Sequence, residues 1–227
     1  MLCERGMRQT ILTLHGIGTP PSHVPASEKP YWISWRVFDG LLSLLAARED
    51  HPPVLLTFDD GNLSDLAAAK KLKPRGLNAK FFLLTGRFGS EYSLSRDDAR
   101  EIDSMGFEIG LHGRGHVDWR VASDAELAAE TVDARAELAE AIGKPVTSVA
   151  IPFGAYNRRV ITCLVSQNFD HIYISDPGPA RVDHLFQRRT AIMAHHSMDD
   201  VAAITDDRVK AFSRVRRTLA PIVKQWR

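Results

Sequence analysis

Asp59 and Asp60 stand side by side at the end of an apolar, β-prone run, Val54-Leu55-Leu56-Thr57-Phe58, and Gly61 follows them. Adjacent like charges at a strand end repel and add nothing to stability. They make chemical sense when a cation or a proton sits between them and a substrate. Further along, His112-Gly113-Arg114-Gly115-His116 follows a second short apolar run at 107–111. Two imidazoles and one carboxylate are the donor set of a catalytic zinc-type site with open positions. The spare carboxylate is then a candidate base toward an attacking water. A helical zinc-protease motif would carry Glu after the first His; here that place holds Gly113, and glycines at 113 and 115 disfavour a helix. The HxxxH segment is therefore expected as a loop. Taken singly, each of these residues reads as an ordinary turn or loop residue; their joint placement past strand ends carries the argument.

The elements that must position them alternate in type. Strands are expected at 10–14, 54–58, 79–84, 107–111, 148–151, 171–174 and 190–193, with helices at 35–47, 63–72, 96–105, 124–142, 158–167 and 201–223. The helix at 124–142 has the clearest signals: Ser123 as N-cap, Glu126 three residues on, and Gly143 before Pro145 at its end. Alternating strands and helices indicate α/β architecture. No linker, repeat or low-complexity tract divides residues 1–227, so one catalytic domain is expected. The proline-rich stretch 19–30 reads as a long loop over one face.

Three motifs in fixed order, Thr57 to Gly61, His112 to His116 and Pro152-Phe153-Gly154, resemble those of the polysaccharide deacetylases, the NodB-homology group of carbohydrate esterases. The resemblance implies a distorted seven-stranded (β/α) barrel, whose chemistry sits at the carboxyl ends of the strands. It also implies Asp60, His112 and His116 as ligands of one divalent metal ion, zinc first, with cobalt or nickel compatible with the same donors. Asp59 is implied as the general base, and the backbone N–H of Phe153 as an oxyanion donor. The chain departs from the family pattern at Ala150, where an arginine usually orients the base, and it lacks the Asp-x-x-Asp-Trp-like fourth motif. Arg114, Arg188 and Arg189 are the candidates to replace that arginine. The family's protonating histidine usually lies in a Leu-x-His motif near the C-terminus. His195 and His196 instead look like a helix start capped by Ser197, whereas Leu12-Thr13-Leu14-His15 ends the first strand in Leu-x-His. Some family members are permuted in this way. In a closed barrel the first and last strands are neighbours, so His15 is the expected general acid.

Candidate substrate contacts are Trp32, Arg114 and Tyr156. Trp32 belongs to an aromatic cluster with Tyr31 and Trp35; sugar rings stack on such faces, though aromatics beside a helix start more often pack as core. Trp119 reads as packing. A formal net charge of +1 gives no reason to expect nucleic acid. No stretch reaches the ~20 apolar residues of a membrane span. The first eight residues lack a signal-peptide core, so a cytoplasmic location is expected. Cys3 and Cys163 do not form a disulfide framework or a metal site. The last helix, residues 206–226, is amphipathic and basic toward its end. It reads as a helix packed on the barrel, with peripheral contact to anionic lipid as the sharper alternative. The expected activity is hydrolysis of an N-acetyl group on an amino sugar, in a cell-surface polysaccharide or its nucleotide- or lipid-linked precursor. The alternatives are an allantoinase-like hydrolase of a non-sugar amide or ureide, and a non-catalytic sugar-binding protein.

Overall fold

The computed structural model describes residues 6–48 and 54–206. The helix expected from 201 onward is described as far as Thr205, with Asp206 as its C-cap; its basic continuation, and with it the membrane-contact reading, lies outside the described residues, as does Cys3. Six parallel strands run in sequence order: β1 (Arg8–Leu14), β2 (Val54–Asp60), β3 (Ala79–Leu83), β4 (Glu108–Leu111), β5 (Ser148–Ala150) and β6 (His171–Ile174). Three short strands complete the sheet: β7 (Ala180–Arg181), β8 (Phe186–Arg188) and β9 (Thr190–Ala191). All seven expected strands are present; β7 and β8 are additional and too short to leave a periodic signal. β8 continues the sheet beyond β6, while β9 pairs with β1, Leu12 facing Thr190 and Thr13 facing Ala191. The segment 186–191 thus joins the two ends of the sheet into a barrel, and its kink falls at Arg189. β7 lies antiparallel to β1 outside this ring.

Helices α1 (Trp35–Ala46), α2 (Ser64–Leu72), α3 (Arg96–Ser104), α4 (Asp124–Ala128), α5 (Ala134–Ile142), α6 (Arg158–Ser166) and α7 (Met198–Thr205) accompany the strands. The helix expected at 124–142 is interrupted by a π turn, Ala129–Asp133, and ends at Gly143 with φ 73°. Ser95, Ser123 and Ser197 each close a capping box, with Asp98, Glu126 and Asp200 respectively.

Strand periodicity divides the interior into two regions. Leu12, Leu14, Leu56, Phe58, Phe81, Leu83, Ile109 and Leu111 belong to the main core with the helices, where Phe58 and Phe81 stack at 4.6 Å. The residues between them point into the barrel: Ile11, Phe82, Ala150 and Tyr173 form a small second cluster. Gly110 makes room for it, since a Cβ there would lie 2.5 Å from the Phe82 ring. On the same inward face β1 and β2 also carry Thr13, Thr57 and Asp59, all buried and polar.

Candidate active site

The catalytic motifs meet where β2, β4 and β5 end. Non-glycine residues with positive φ are uncommon, and they gather at functional sites where surrounding structure holds them. Four are present among the described residues, and three stand in the motifs: Asp60 (φ 79°), His116 (φ 55°) and Phe153 (φ 57°). Asp60 is the last residue of β2, in register with Leu83, and its carboxylate lies beside the histidines.

Asp60 Oδ1 lies 3.5 Å from His112 Nε2 and 3.4 Å from His116 Nε2. This oxygen is buried and has no hydrogen-bond donor. A buried carboxylate oxygen left unpaired is costly unless a cation satisfies it. His112 Nδ1 lies 2.9 Å from the Ala150 carbonyl, which accepts its proton and leaves Nε2 with a bare lone pair. Burial lowers the His112 pKa to about 4, against the pull of Asp59 and Asp60, so the ring is neutral as a ligand must be. His116 Nδ1 faces Glu28 at 3.9 Å. One donor atom from each of Asp60, His112 and His116 lies within 4.8 Å of the others, so the three fit a divalent cation.

Asp59 lies on the inward face of β2, with its Oδ2 3.9 Å from His112 Nε2. Arg189 donates from Nη1 to Oδ1 at 2.7 Å and from Nη2 to Oδ2 at 2.8 Å. Both residues are almost fully buried. Burial alone would raise the Asp59 pKa, but Arg189, with help from His112, brings it down to about 2. Arg189 also donates to Thr57 Oγ1 at 3.3 Å and lies 5.5 and 5.9 Å from the Phe82 and Tyr173 ring centroids. Of the three arginines considered in place of Ala150, Arg189 is therefore the one in contact with Asp59.

A cleft of about 630 Å³ opens above these groups, lined by His15, Trp32, Asp59, Asp60, His112, His116 and Phe153 among others. His15 directly follows β1, and its Nδ1 is buried without a hydrogen-bond partner. The Trp32 indole lies flat on Gly16, where a Cβ would come within 2.1 Å of it. Phe153 is 56% exposed, and its ring centroid is 4.2 Å from that of His116.

Two sequence candidates are not brought to the cleft. The half-exposed Arg114 side chain pairs with Glu137 at 3.3 Å. Tyr156 is buried, and its hydroxyl donates to Asp176 at 2.6 Å, a link between the ends of β5 and β6. Arg114 lies within the HxxxH motif and Tyr156 two residues past the Pro-Phe-Gly motif, yet neither side chain lines the cleft. Conversely, Glu28 and Met193 line the cleft and carried no motif signal; His196, a C-terminal candidate for the protonating histidine, lines it as well. Glu130 was also missed. An acidic residue within the buried helical stripe Leu127, Thr131, Ala134, Leu138 was the available clue.

A (β/α) barrel with a carboxylate–dihistidine cluster and a second, arginine-held carboxylate at its strand ends defines a class of hydrolase-like sites. The polysaccharide deacetylase family model matches residues 46–172, and the chain belongs to that family. It is similar to YxkH of Bacillus subtilis (strain 168), which carries the name of a polysaccharide deacetylase, with 24% identity over 79% of this chain and 69% of that protein. Among solved structures, IcaB from Ammonifex degensii shares 25% identity over 88% of this chain and 98% of its own, with a TM-score of 0.70. The Streptococcus pyogenes deacetylase PplD, solved with acetate, has a TM-score of 0.74 at 21% identity, covering 88% of this chain and 99% of its own, and so shares the fold. Among the described residues, no helix is long and apolar enough to cross a membrane.

Proposed function

We propose that this chain is a metal-dependent deacetylase that removes the N-acetyl group of an amino sugar. The observation that carries the reading is the convergence of Asp60, His112 and His116 beside a second carboxylate kept ionised by Arg189. Asp60, His112 and His116 would hold the cation. With a pKa near 2, Asp59 is a dependable anion and a weak base, so water must be made more acidic for it to act; a divalent cation, zinc by its donor set with cobalt or nickel compatible, supplies that when bound and polarises the amide carbonyl. Asp59 orients the attacking water and takes its proton, while Arg189 fixes the carboxylate against rotation. The Phe153 N–H would donate to the developing oxyanion. His15 delivers a proton to the nitrogen as the C–N bond breaks, giving acetate and the free amine. Trp32 and Phe153 offer apolar faces against which a sugar ring can stack.

The neighbour PplD, solved with acetate, supports the reading, since acetate is the acid that deacetylation releases. The non-catalytic alternative drew on the arginine missing at Ala150; the Arg189–Asp59 contact weighs against it. The test is acetate release from N-acetylated amino-sugar oligomers and nucleotide-linked N-acetyl sugars, with a ureide as comparison, after zinc loading. Acetate release that falls about 100-fold or more in Asp59→Asn is expected. Turnover of the ureide alone, or unchanged acetate release in Asp59→Asn, would overturn the reading.

A further inference from the structure

Glu130 is a buried carboxylate, 7% exposed, that no step of the reaction above uses. A charge taken out of water is costly unless it is paired or hydrogen-bonded. The described residues give Glu130 no ion pair; its partners are N–H groups of one loop. Oε2 accepts from the Arg114 backbone N–H at 2.9 Å and from Trp119 Nε1–H at 3.3 Å, and Oε1 accepts from the Gly115 backbone N–H at 2.9 Å. Residues 114 and 115 connect His112 to His116, and Trp119 follows in the same loop. The glycines on it fit the carboxylate closely: a Cβ at Gly113 would lie 2.5 Å from Oε2, and one at Gly115 would lie 3.1 Å from Oε1.

The carboxylate reaches the loop from the π turn Ala129–Asp133, where Glu130 and Thr131 are the buried residues. π turns are rare and recur at functional sites. Here the turn lies between the buried Leu127 of α4 and the buried Ala134 and Leu138 of α5. The helix gives up regular geometry at the point where it presents Glu130.

We infer that Glu130 is a positioning residue for the metal centre. By holding the N–H groups of residues 114 and 115 on its two oxygens, it fixes the loop so that both histidine Nε2 atoms arrive at Asp60 Oδ1. This inference rests on the metal reading proposed above. It also makes a chemical distinction: each oxygen must accept, so the nearly isosteric Glu130→Gln would turn an NH₂ toward an N–H donor. A space-filling role would survive that change.

The test is the zinc dissociation constant, by competition with a chromophoric chelator, together with the visible spectrum of cobalt-loaded protein. Wild type, Glu130→Gln, Glu130→Ala and the packing control Leu138→Ala are compared. Both Glu130 variants should bind zinc roughly 10- to 100-fold more weakly and shift the cobalt bands. Leu138→Ala should melt earlier with an unchanged constant and spectrum. If Glu130→Ala does not fold, Glu130→Gln carries the test. Wild-type affinity and spectrum in Glu130→Gln would overturn the inference while leaving the metal reading intact. A wild type that binds neither metal would overturn both.

Discussion

Asp59 has its charge compensated from across the chain by a side chain 130 positions away. Arg189→Lys replaces a planar fork with a single point charge, which cannot hold both oxygens, so activity should fall while folding is retained. Arg189→Met leaves Asp59 buried without its counter-charge and should cost about 3–5 kcal/mol by urea denaturation. The double variant Asp59→Leu/Arg189→Met should recover most of that stability with no activity; a double variant as unstable as Arg189→Met would contradict the account. Asp65 presents the opposite case. It is fully buried, with Ser64 Oγ 3.4 Å from its Oδ1 and no partner on Oδ2. Burial first, and then the charge of Asp60, raise its pKa well above the ordinary value of 3.8. Above that value the unfolded chain releases this proton while the folded chain keeps it. Stability therefore falls as pH rises, by up to about 1.4 kcal/mol per pH unit, until the folded group ionises too. Asp65→Asn removes this loss, so its advantage over wild type in metal-free urea melts should grow between pH 5 and pH 8. Parallel profiles would disprove it. The DD and HxxxH residues were legible because their spacing is local. Arg189 was narrowed only to one of three arginines, because its partner is set by barrel closure.

At the scale of elements, each motif is a turn at a strand end with an uncommon backbone conformation, and the HxxxH turn depends on a glycine. Gly113 has φ 96°, and a side chain there would meet Glu130 and Trp119. Gly113→Ala should destabilise the fold by about 1–3 kcal/mol through backbone strain and, because the loop must move, weaken zinc binding as well. Thermal melts with and without zinc would check both. A variant that keeps its zinc response would show that the loop tolerates the shift. The strands were readable from sequence because parallel strands buried on both faces appear as continuous apolar runs, as in β1 and β2. The break in the helix at 124–142 was not. Its caps and apolar spacing are those of a regular helix, and the π turn becomes visible only when Glu130 is seen against the loop. The kink between β8 and β9 was hidden for a related reason, since strands of two or three residues carry no period.

For the whole molecule, the proposed metal site draws its ligands from the ends of two strands that are not neighbours in the sheet. Asp60 ends β2, His112 and His116 follow β4, and β3 lies between them. His112 is further tied to β5 through the Ala150 carbonyl. A cation held by these three residues binds the folded barrel and not the unfolded chain, in which its ligands are dispersed. At a free concentration about 100 times the dissociation constant it should stabilise by about 2.7 kcal/mol. For a domain of this size, each kcal/mol moves the melting midpoint by about 2–4 °C, so zinc should raise it by roughly 5–10 °C. A strong chelator should reverse the shift. His112→Ala should lose the response; because it also removes a buried ring and leaves the Ala150 carbonyl without its donor, its metal-free midpoint should fall, and zinc should not restore it. Differential scanning calorimetry of the two proteins, with zinc and with chelator, separates the cases. Equal midpoints for wild type in zinc and in chelator would mean that the ligands do not act together, and the barrel would then owe its closure to the 186–191 segment and the Arg189–Asp59 pair alone.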